Sequence, residues 1–457
     1  MKETASSFLA KSSIKAADLN HREKVNFNIH RYNSTVPLGK QQFANVNLAR
    51  ERAKNIKWRA LESLDQYLEA FEANFTAKGG KVIWAETAEE ALKEIQRICE
   101  EKQCKIVVKS KSMVTEEIHL NKFFEKHHIE SVETDLGEYI QQLAGEPPYH
   151  IVTPAMHKSK EDVAQLFHEK LNTKPGLTPE QLTLVARDKL REKYLQAQIG
   201  ITGANFIIAD TGSIAVTENE GNARLSASFP KTHIVIAGIE KVIPSLTDLG
   251  LFWPLLATYG TGQTITVYNT VFSGPRQSGE TDGPDEMYVI LLDNGRTNIL
   301  DNEKQRESLY CIRCGACLNA CPVYKNIGGH AYATTYSGPI GAVITPNMRN
   351  MKEWKHLSYA SSLCGNCTEV CAVKINLHEL LLDNRYEAVE KGAVGFQEKI
   401  AWKLWKKASL NRKLMNKGSH SVKNWVANKL ISGWSKHRAP LQFPEKTFNE
   451  MWMDKKD

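Results

Sequence analysis

Seven of the nine cysteines fall between Tyr310 and Val373. The first block reads Cys311-Ile312-Arg313-Cys314-Gly315-Ala316-Cys317-Leu318-Asn319-Ala320-Cys321-Pro322, the spacing C-x2-C-x2-C-x3-C-P. The second reads Cys364-Gly365-Asn366-Cys367-Thr368-Glu369-Val370-Cys371-Ala372. Thiolates hold iron–sulfur clusters, and in two-cluster proteins with this run the fourth cysteine reaches the other cluster. Two intervening residues bring successive sulfurs to neighbouring irons of one cube. Gly315 and Gly365 give the tight loops backbone angles that other residues resist. The spacing therefore predicts a 4Fe–4S cluster on Cys311, Cys314, Cys317 and Cys371. A second cluster, also expected to be 4Fe–4S, falls to Cys321, Cys364 and Cys367.

That second set is one sulfur short. Three readings stay open: a 3Fe–4S cluster, a cube with a non-cysteine ligand, or a cube with an open iron. Sliding the motif along block two puts its missing first position at Ser361, although serine there is more often a turn residue. Ala372 stands where proline would follow the last cysteine, and since proline fixes φ its loss loosens the loop. Zinc favours C-x2-C pairs or histidine partners, and the first block has too many sulfurs too close. A disulfide framework suits small secreted chains. Cys99 and Cys104 are isolated and read as small buried apolar residues.

The segments that must position these sulfurs read as follows. Residues 1–40 are polar and without a clear period, an extended arm. A three-and-four spacing of Trp58, Leu61, Leu64, Tyr67, Leu68 and Phe71 predicts helix over about 42–74. Strands at 81–85, 105–108, 129–134 and 149–153 then alternate with helices at 87–101, 115–126 and 135–143, the first opened by a capping box of Thr87 and Glu90. This order argues for a parallel sheet flanked by helices. Pro179 opens a long helix over 178–197. Further strands are expected at 204–208, 213–218, 232–237, 264–268 and 287–292, with a long polar loop at 273–284. The resulting division is an N-terminal arm and helix over 1–76, an α/β domain with a parallel or mixed sheet over 77–298, a mostly helical two-cluster domain over 299–392, and a tail over 393–457.

Several turns in the α/β domain carry residues able to bind or react. Lys109-Ser110-Lys111-Ser112 lies between a strand and a helix, where an anion could bind; a basic surface turn with a serine cap is the plainer reading. Asp210-Thr211-Gly212-Ser213 reads as a β-turn or a pocket edge. Glu218 and Glu220 could act as base or nucleophile, but such glutamates are usually solvated. His330, His356 and His378 lie near the cysteine blocks and could tune a cluster, with packing the safer expectation.

At 457 residues, 24% of them charged, the chain suits two or three globular domains. No window is apolar enough for a spanning helix, and residues 1–15 lack the core of a secretory signal; clustered thiols fit a reducing cytoplasm. The net charge of +7 is local: residues 391–457 hold 15 Lys/Arg against five Asp/Glu, so the remainder is net negative. Local basicity points to a docking surface and not to nucleic acid. Trp402, Trp405, Trp425, Trp434 and Trp452 punctuate this tail, and Phe396, Ile400 and Leu404 share a helix face. Self-packing of these tryptophans beside a partner surface is expected; peripheral membrane contact is the rival.

Taken together, residues 106–113 (IVVKSKSM), 202–218, 232–247, 259–293 and both cysteine blocks resemble the lactate-utilisation iron–sulfur protein B family over nearly the full length. The α/β part is similar to that family's LUD domain, whose fold resembles sugar-phosphate isomerases and CoA transferases. The cysteine part resembles a two-cluster ferredoxin domain of the succinate-dehydrogenase type. The resemblance implies an electron-transfer subunit, working with two other lactate-utilisation proteins and an electron acceptor in oxidising L-lactate to pyruvate. It implies two 4Fe–4S clusters on the same crossed cysteine sets. The alternative is an α/β-domain enzyme acting on an anionic acyl or sugar-phosphate ligand, its clusters regulatory.

Overall fold

Short runs rich in isoleucine and valine form ten strands: β1 (Lys81–Ala85), β2 (Ile106–Lys109), β3 (Glu130–Glu133), β4 (Ile199–Gly203), β5 (Phe206–Ile208), β6 (Ser213–Glu218), β7 (Thr232–Gly238), β8 (Val242–Ile243), β9 (Tyr268–Phe272) and β10 (Glu286–Leu292). The computed structural model describes residues 2–415, 417–430 and 439–455. Six strands make an all-parallel sheet in the order β1-β10-β7-β4-β2-β3, and four make a smaller mixed sheet, β8-β5-β6-β9. Strand β7 is buried at every position, as a central parallel strand covered on both faces should be.

Side chains alternate across the parallel sheet, and this alternation divides the core. Ile234, Ile236, Tyr288 and Ile290 face one apolar cluster, with Ile95, Ile98 and Phe124 from the covering helices. Val235, Ala237, Val289 and Leu291 face the other, which runs on through the small sheet, the N-terminal helices and the cysteine segment. Each fully buried aliphatic side chain contributes about 1.5–3 kcal/mol. The cysteines are therefore set in the same core as one face of the sheet. Met1–Lys391 forms one compact unit and Gly392–Asp457 a second.

Several expectations need correction. Residues 1–40 are not an extended arm but two helices, Lys2–Ala17 and Leu19–Lys40. Apart from Gly39 near its end, a narrow stripe of His21, Val25 and Ile29 is buried on the second, so no broad apolar period marks it. The helix expected over 42–74 is two helices, Val46–Glu62 and Leu64–Thr76, broken at Ser63. The one expected at 115–126 is likewise split by His119 in the left-handed conformation, between Met113–Glu117 and Leu120–Lys126. Thr87 caps its helix through the Glu90 amide, but the Glu90 carboxylate accepts from Glu86 N, so the box is half made.

Residues 149–153 are not a strand. Instead His150 Nδ1 accepts from Val152 N and Thr153 N, closing a turn, while Tyr149 O accepts from Tyr324 Oη at 2.9 Å. The apolar residues there pack on the cysteine segment, and no sheet partner is needed. Strand 264–268 is displaced to β9, and β4 and the helix Lys160–Leu171 were not anticipated.

The tail contains the helices Phe396–Ser409, Arg412–Met415, His420–Leu430 and Phe448–Met453. Trp402, Trp405, Trp425 and Trp452 are each more than half exposed, which departs from the self-packing expected of them. Trp434 lies outside the described residues. Among the described residues no helix is long and apolar enough to cross a membrane.

Candidate metal centre

Each cysteine block is a loop followed by a short helix, and left-handed residues make the loops possible. In block one Arg313 has φ +61° and Gly315 +79°, and Gly315 caps the helix Ala316–Ala320 that carries Cys317. In block two Leu363 has φ +53° and Gly365 +80°, ahead of the helix Asn366–Glu369 that carries Cys367. A non-glycine residue at such angles is uncommon. Cys321 sits at the junction with the next helix, Pro322–Ile327, whose proline occupies a first-turn position. There the chain changes direction, and the Cys321 sulfur is carried away from the other three. Asn366 Nδ2 donates to Ala320 O at 3.1 Å, tying the two blocks together.

Two groups of sulfur result. Cys311, Cys314, Cys317 and Cys371 line one small enclosed space, with Ile151, Ile340 and Ala372 around it. Cys321 lies within electrostatic reach of Cys364 and Cys367. Burial pushes the Cys314 thiol up to about 12, with Cys371 adding to it, and burial does the same to Cys371. Burial raises Cys367 to about 11 and also raises Cys321. Cys364 is exposed, and the Asn366 amide with the Ser362 side chain lowers its pKa. Ser361 serves the turn: its Oγ accepts from Leu363 N at 3.1 Å.

Backbone amides already point at the sulfurs. Arg313 N donates to Cys311 Sγ at 3.4 Å and Ile375 N to Cys371 Sγ at 3.3 Å. The Ala372 amide, which proline could not supply, favours the Cys314 thiolate. A single zinc ion would draw its sulfurs to about 3.8 Å of one another, from the tetrahedral bond length. Among the described residues, ligand atoms all within 4.8 Å of one another occur at Glu146, His157 and His330 and not in the cysteine sets. Buried thiols, waiting amides and sulfurs too far apart for one ion fit a cluster of several irons.

A buried ionic network, invisible in the sequence, supports the first set. Arg296 donates to Glu117 (3.0 and 2.9 Å) and to Glu240 Oε2 (2.5 Å), and Tyr336 Oη donates to Glu117 Oε2 at 2.5 Å. Burial works against the Glu240 carboxylate, yet Arg296, Lys241 and Arg313 draw its pKa down to about 2. Behind the cysteine helices Asn384 Nδ2 donates to Val343 O at 2.9 Å and Ser358 Oγ at 3.1 Å, joining three helices. No periodicity marks any of these residues, because their partners are far away in the chain.

The other candidates fall elsewhere. Lys109 is fully buried and not a surface residue; burial alone would lower its pKa, but Glu133, Glu138 and Glu116 together raise it. Its charge is committed to them. Asp210 accepts from Leu246 N and closes a turn. Glu218 accepts from Ala223 N at 2.7 Å and Glu220 from Leu136 N at 3.0 Å, so both are caps and not free acids. Burial and the nearby Asp135 raise Glu220 to about 7. Cys99 and Cys104 are buried in the cluster under the sheet, apart from the other seven. His330 Nε2 donates to Pro147 O, His378 pairs with Thr368, and His356 packs on Phe8.

Comparison with known proteins agrees with these two halves. Residues 68–292 match the LUD domain family and residues 307–375 the 4Fe-4S dicluster domain family. A protein of Bacillus velezensis named lactate utilization protein B is 49% identical over 81% of this chain and 78% of its own length. The protein of the same name from Bacillus subtilis (strain 168) is 47% identical over 83% of this chain and 79% of its own. A solved structure of a DUF162 family protein from Deinococcus radiodurans, 14% identical, overlays 50% of this chain and 98% of that one at a TM-score of 0.29, too low to carry an argument.

Proposed function

Given that the chain belongs to the lactate utilization protein B family, we propose that it is an iron–sulfur electron-transfer subunit of a multi-protein system oxidising L-lactate to pyruvate. Cys311, Cys314, Cys317 and Cys371 hold the first 4Fe–4S cluster. Cys321, Cys364 and Cys367 hold the second, its fourth position filled by something other than cysteine. The observation that carries this reading is the gathering of seven sulfurs, from blocks more than forty residues apart, into two sets.

When bound, thiolate-held clusters carry single electrons at potentials set by charge, hydrogen bonds and exposure. Oxidising lactate to pyruvate releases two electrons and two protons, so two one-electron sites match the electron count. The chain's own residues exclude water from the first set, and the Arg313 and Ile375 amides favour its thiolates. The second set reaches the surface at Cys364, where a partner could approach. Partners in this reading are two other lactate-utilisation proteins and an electron acceptor. The exposed, basic, tryptophan-bearing tail is the docking element for a protein or for a membrane surface. The four segments 1–76, 77–298, 299–392 and 393–457 are the functional divisions.

Anaerobic purification, iron and sulfide quantification and electron paramagnetic resonance after dithionite reduction test this. Two distinct reduced-cluster signals are expected, and both should appear when lactate and the partner proteins replace dithionite. A reduced protein with no such signal defeats the reading.

A further inference from the structure

A cavity of about 260 Å³ lies where the α/β domain meets the first cysteine loop, and electron relay leaves it without a role. Its floor is built at the carboxyl ends of parallel strands: Ser110 and Ser112 follow β2, Gly203 ends β4 and Lys241 follows β7. Open parallel sheets bind ligands outside such ends. Arg313, Cys314 and Tyr336 also line it. The cavity thus adjoins a cysteine of the first set. It is smaller than the roughly 300–1,000 Å³ of drug-sized ligand sites, which limits an occupant to a few carbons.

Two buried cations line it without a full complement of partners. Lys241 is 7% exposed, and its amine makes no hydrogen bond or ion pair among the described residues. The Arg313 side chain is 10% exposed and stacks on Tyr336 at 4.4 Å. Its Nη1 is buried with no hydrogen-bond partner, and its Nη2 stands 3.6 Å from Glu240, beyond good hydrogen-bond range. Glu240 Oε2 is taken by Arg296 at 2.5 Å, leaving its buried Oε1, which makes no hydrogen bond, as the atom facing Arg313, and Glu117 is taken by Arg296 and Tyr336. Lys57 also points into this group, donating to the Glu240 and Val242 carbonyls. Two buried guanidiniums, Arg296 and Arg313, and two lysines whose burial lowers their pKa, Lys57 to about 7 and Lys241 to about 8, thus share two carboxylates. Unpaired buried charge is costly. Thiolate on the Cys311 side offsets part of the excess, and an anion in the cavity would meet the rest.

An acidic stretch of the lining narrows the choice of anion. It carries Asp135, Glu218 and Glu220, with Asn205 also in the lining and the half-buried Lys111 within electrostatic reach of Asp135 and Glu220. Three carboxyls outnumber that lysine and disfavour a second negative charge at that end, whereas a hydroxyl can donate to a carboxylate and a carbonyl oxygen can accept from the Asn205 amide. We propose that this cavity binds a small 2-hydroxy or 2-oxo monocarboxylate, its carboxylate on Lys241 and Arg313 and its neutral oxygen toward Asn205 and the acidic stretch. The proposal deepens the lactate-oxidation reading and rests on it for the identity of the acid.

The test is calorimetry on the oxidised full-length holoprotein with L-lactate, pyruvate and inorganic phosphate at fixed ionic strength. Saturable binding of one or both acids, one per chain, is expected, with phosphate much weaker. Lys241→Met should weaken acid binding about tenfold or more, the worth of a charged hydrogen bond, at unchanged iron content. Absence of saturable binding, equal binding of phosphate, or wild-type affinity in iron-replete Lys241→Met overturns the site. If that variant loses iron, the wild type decides. Cluster reduction should enhance the ¹³C relaxation of the bound acid if the site adjoins Cys314, and unchanged relaxation overturns it. Binding needs no turnover, so the two readings fail separately. A protein that binds the acids but passes no electrons keeps the site and loses the relay, and the reverse outcome does the opposite.

Discussion

The two cysteine sets share one core but differ in sulfur count, in neighbouring charge and in access to solvent. The first has four sulfurs, and three of them are buried inside the core shared with the sheet. Cations surround it: Arg50 Nε donates to Cys371 O at 2.9 Å, and Arg313 lies in its loop. The second has three sulfurs, one of them exposed, and Lys325 is its nearby cation. Sequence spacing alone makes the two blocks look like near repeats. Both sets reach into that core, which also holds Cys321 and Cys367, but only the second opens fully to solvent, at Cys364. Damage at the first should therefore spread, and damage at Cys364 should stay local.

The largest test of that contrast is Cys314→Ala. It should remove the first cluster and about half the iron, as one of two clusters is lost. Far-UV circular dichroism should show the parallel sheet still folded, but it should unfold at lower denaturant because the emptied site shares its core. Full iron content in the variant would break the contrast at its root. Next is Arg296→Met, which leaves Glu117 and Glu240 without their shared partner. Breaking a buried pair costs about 3–5 kcal/mol. Denaturant unfolding should show it, with first-cluster iron lost before second-cluster iron.

Acid should act next, and again on the interior side. Burial depresses His150 and His233 to about 3. A depressed folded pKa means their contribution is whole above pH 6.5 and is lost as pH falls toward 3. By pH 5 each costs about 2 kcal/mol, from the linkage relation. Unfolding midpoints at pH 7.5 and 5.0 should differ accordingly, and His233→Phe should reduce the difference. A midpoint that does not move would contradict neutral burial of these rings.

Cys364→Ser should release second-cluster iron while changing unfolding free energy by less than about 1 kcal/mol, because exposed substitutions do little to stability. A large loss of stability would show that Cys364 is not peripheral to the fold. The smallest effect is expected at Ala372→Pro. Removing an amide that favours the Cys314 thiolate should lower the potential of the first cluster and leave the second unchanged. A redox titration followed by paramagnetic resonance reads this directly.

Much of the fold was legible residue by residue. Strands β1, β6, β7 and β10 and the helix opened by Pro179 appear where apolar runs, β-branched residues and a first-turn proline put them. The N-terminal helices were not legible, since His21, Val25 and Ile29 give too thin a stripe. Residues 149–153 misled because an apolar run looks the same whether it joins a sheet or packs in a turn against Tyr324. At the site, the cysteines stood out because their chemistry is local and their spacing is short. Arg296, Glu117 and Glu240 did not, because nothing near each of them in sequence names its partner.

The sequence by itself determined which atoms could hold iron, the tight turns that present them and the alternation of strands and helices around them. All of these follow from contacts a few residues long. Only the tertiary structure decided that both sets would reach into the core while one of them opens to solvent at Cys364. It alone brought Lys57, Lys241, Arg296 and Arg313 to two carboxylates and set Lys241 and Cys314 in the lining of one cavity. The reason is packing: burial and charge balance are properties of surfaces brought together from distant segments.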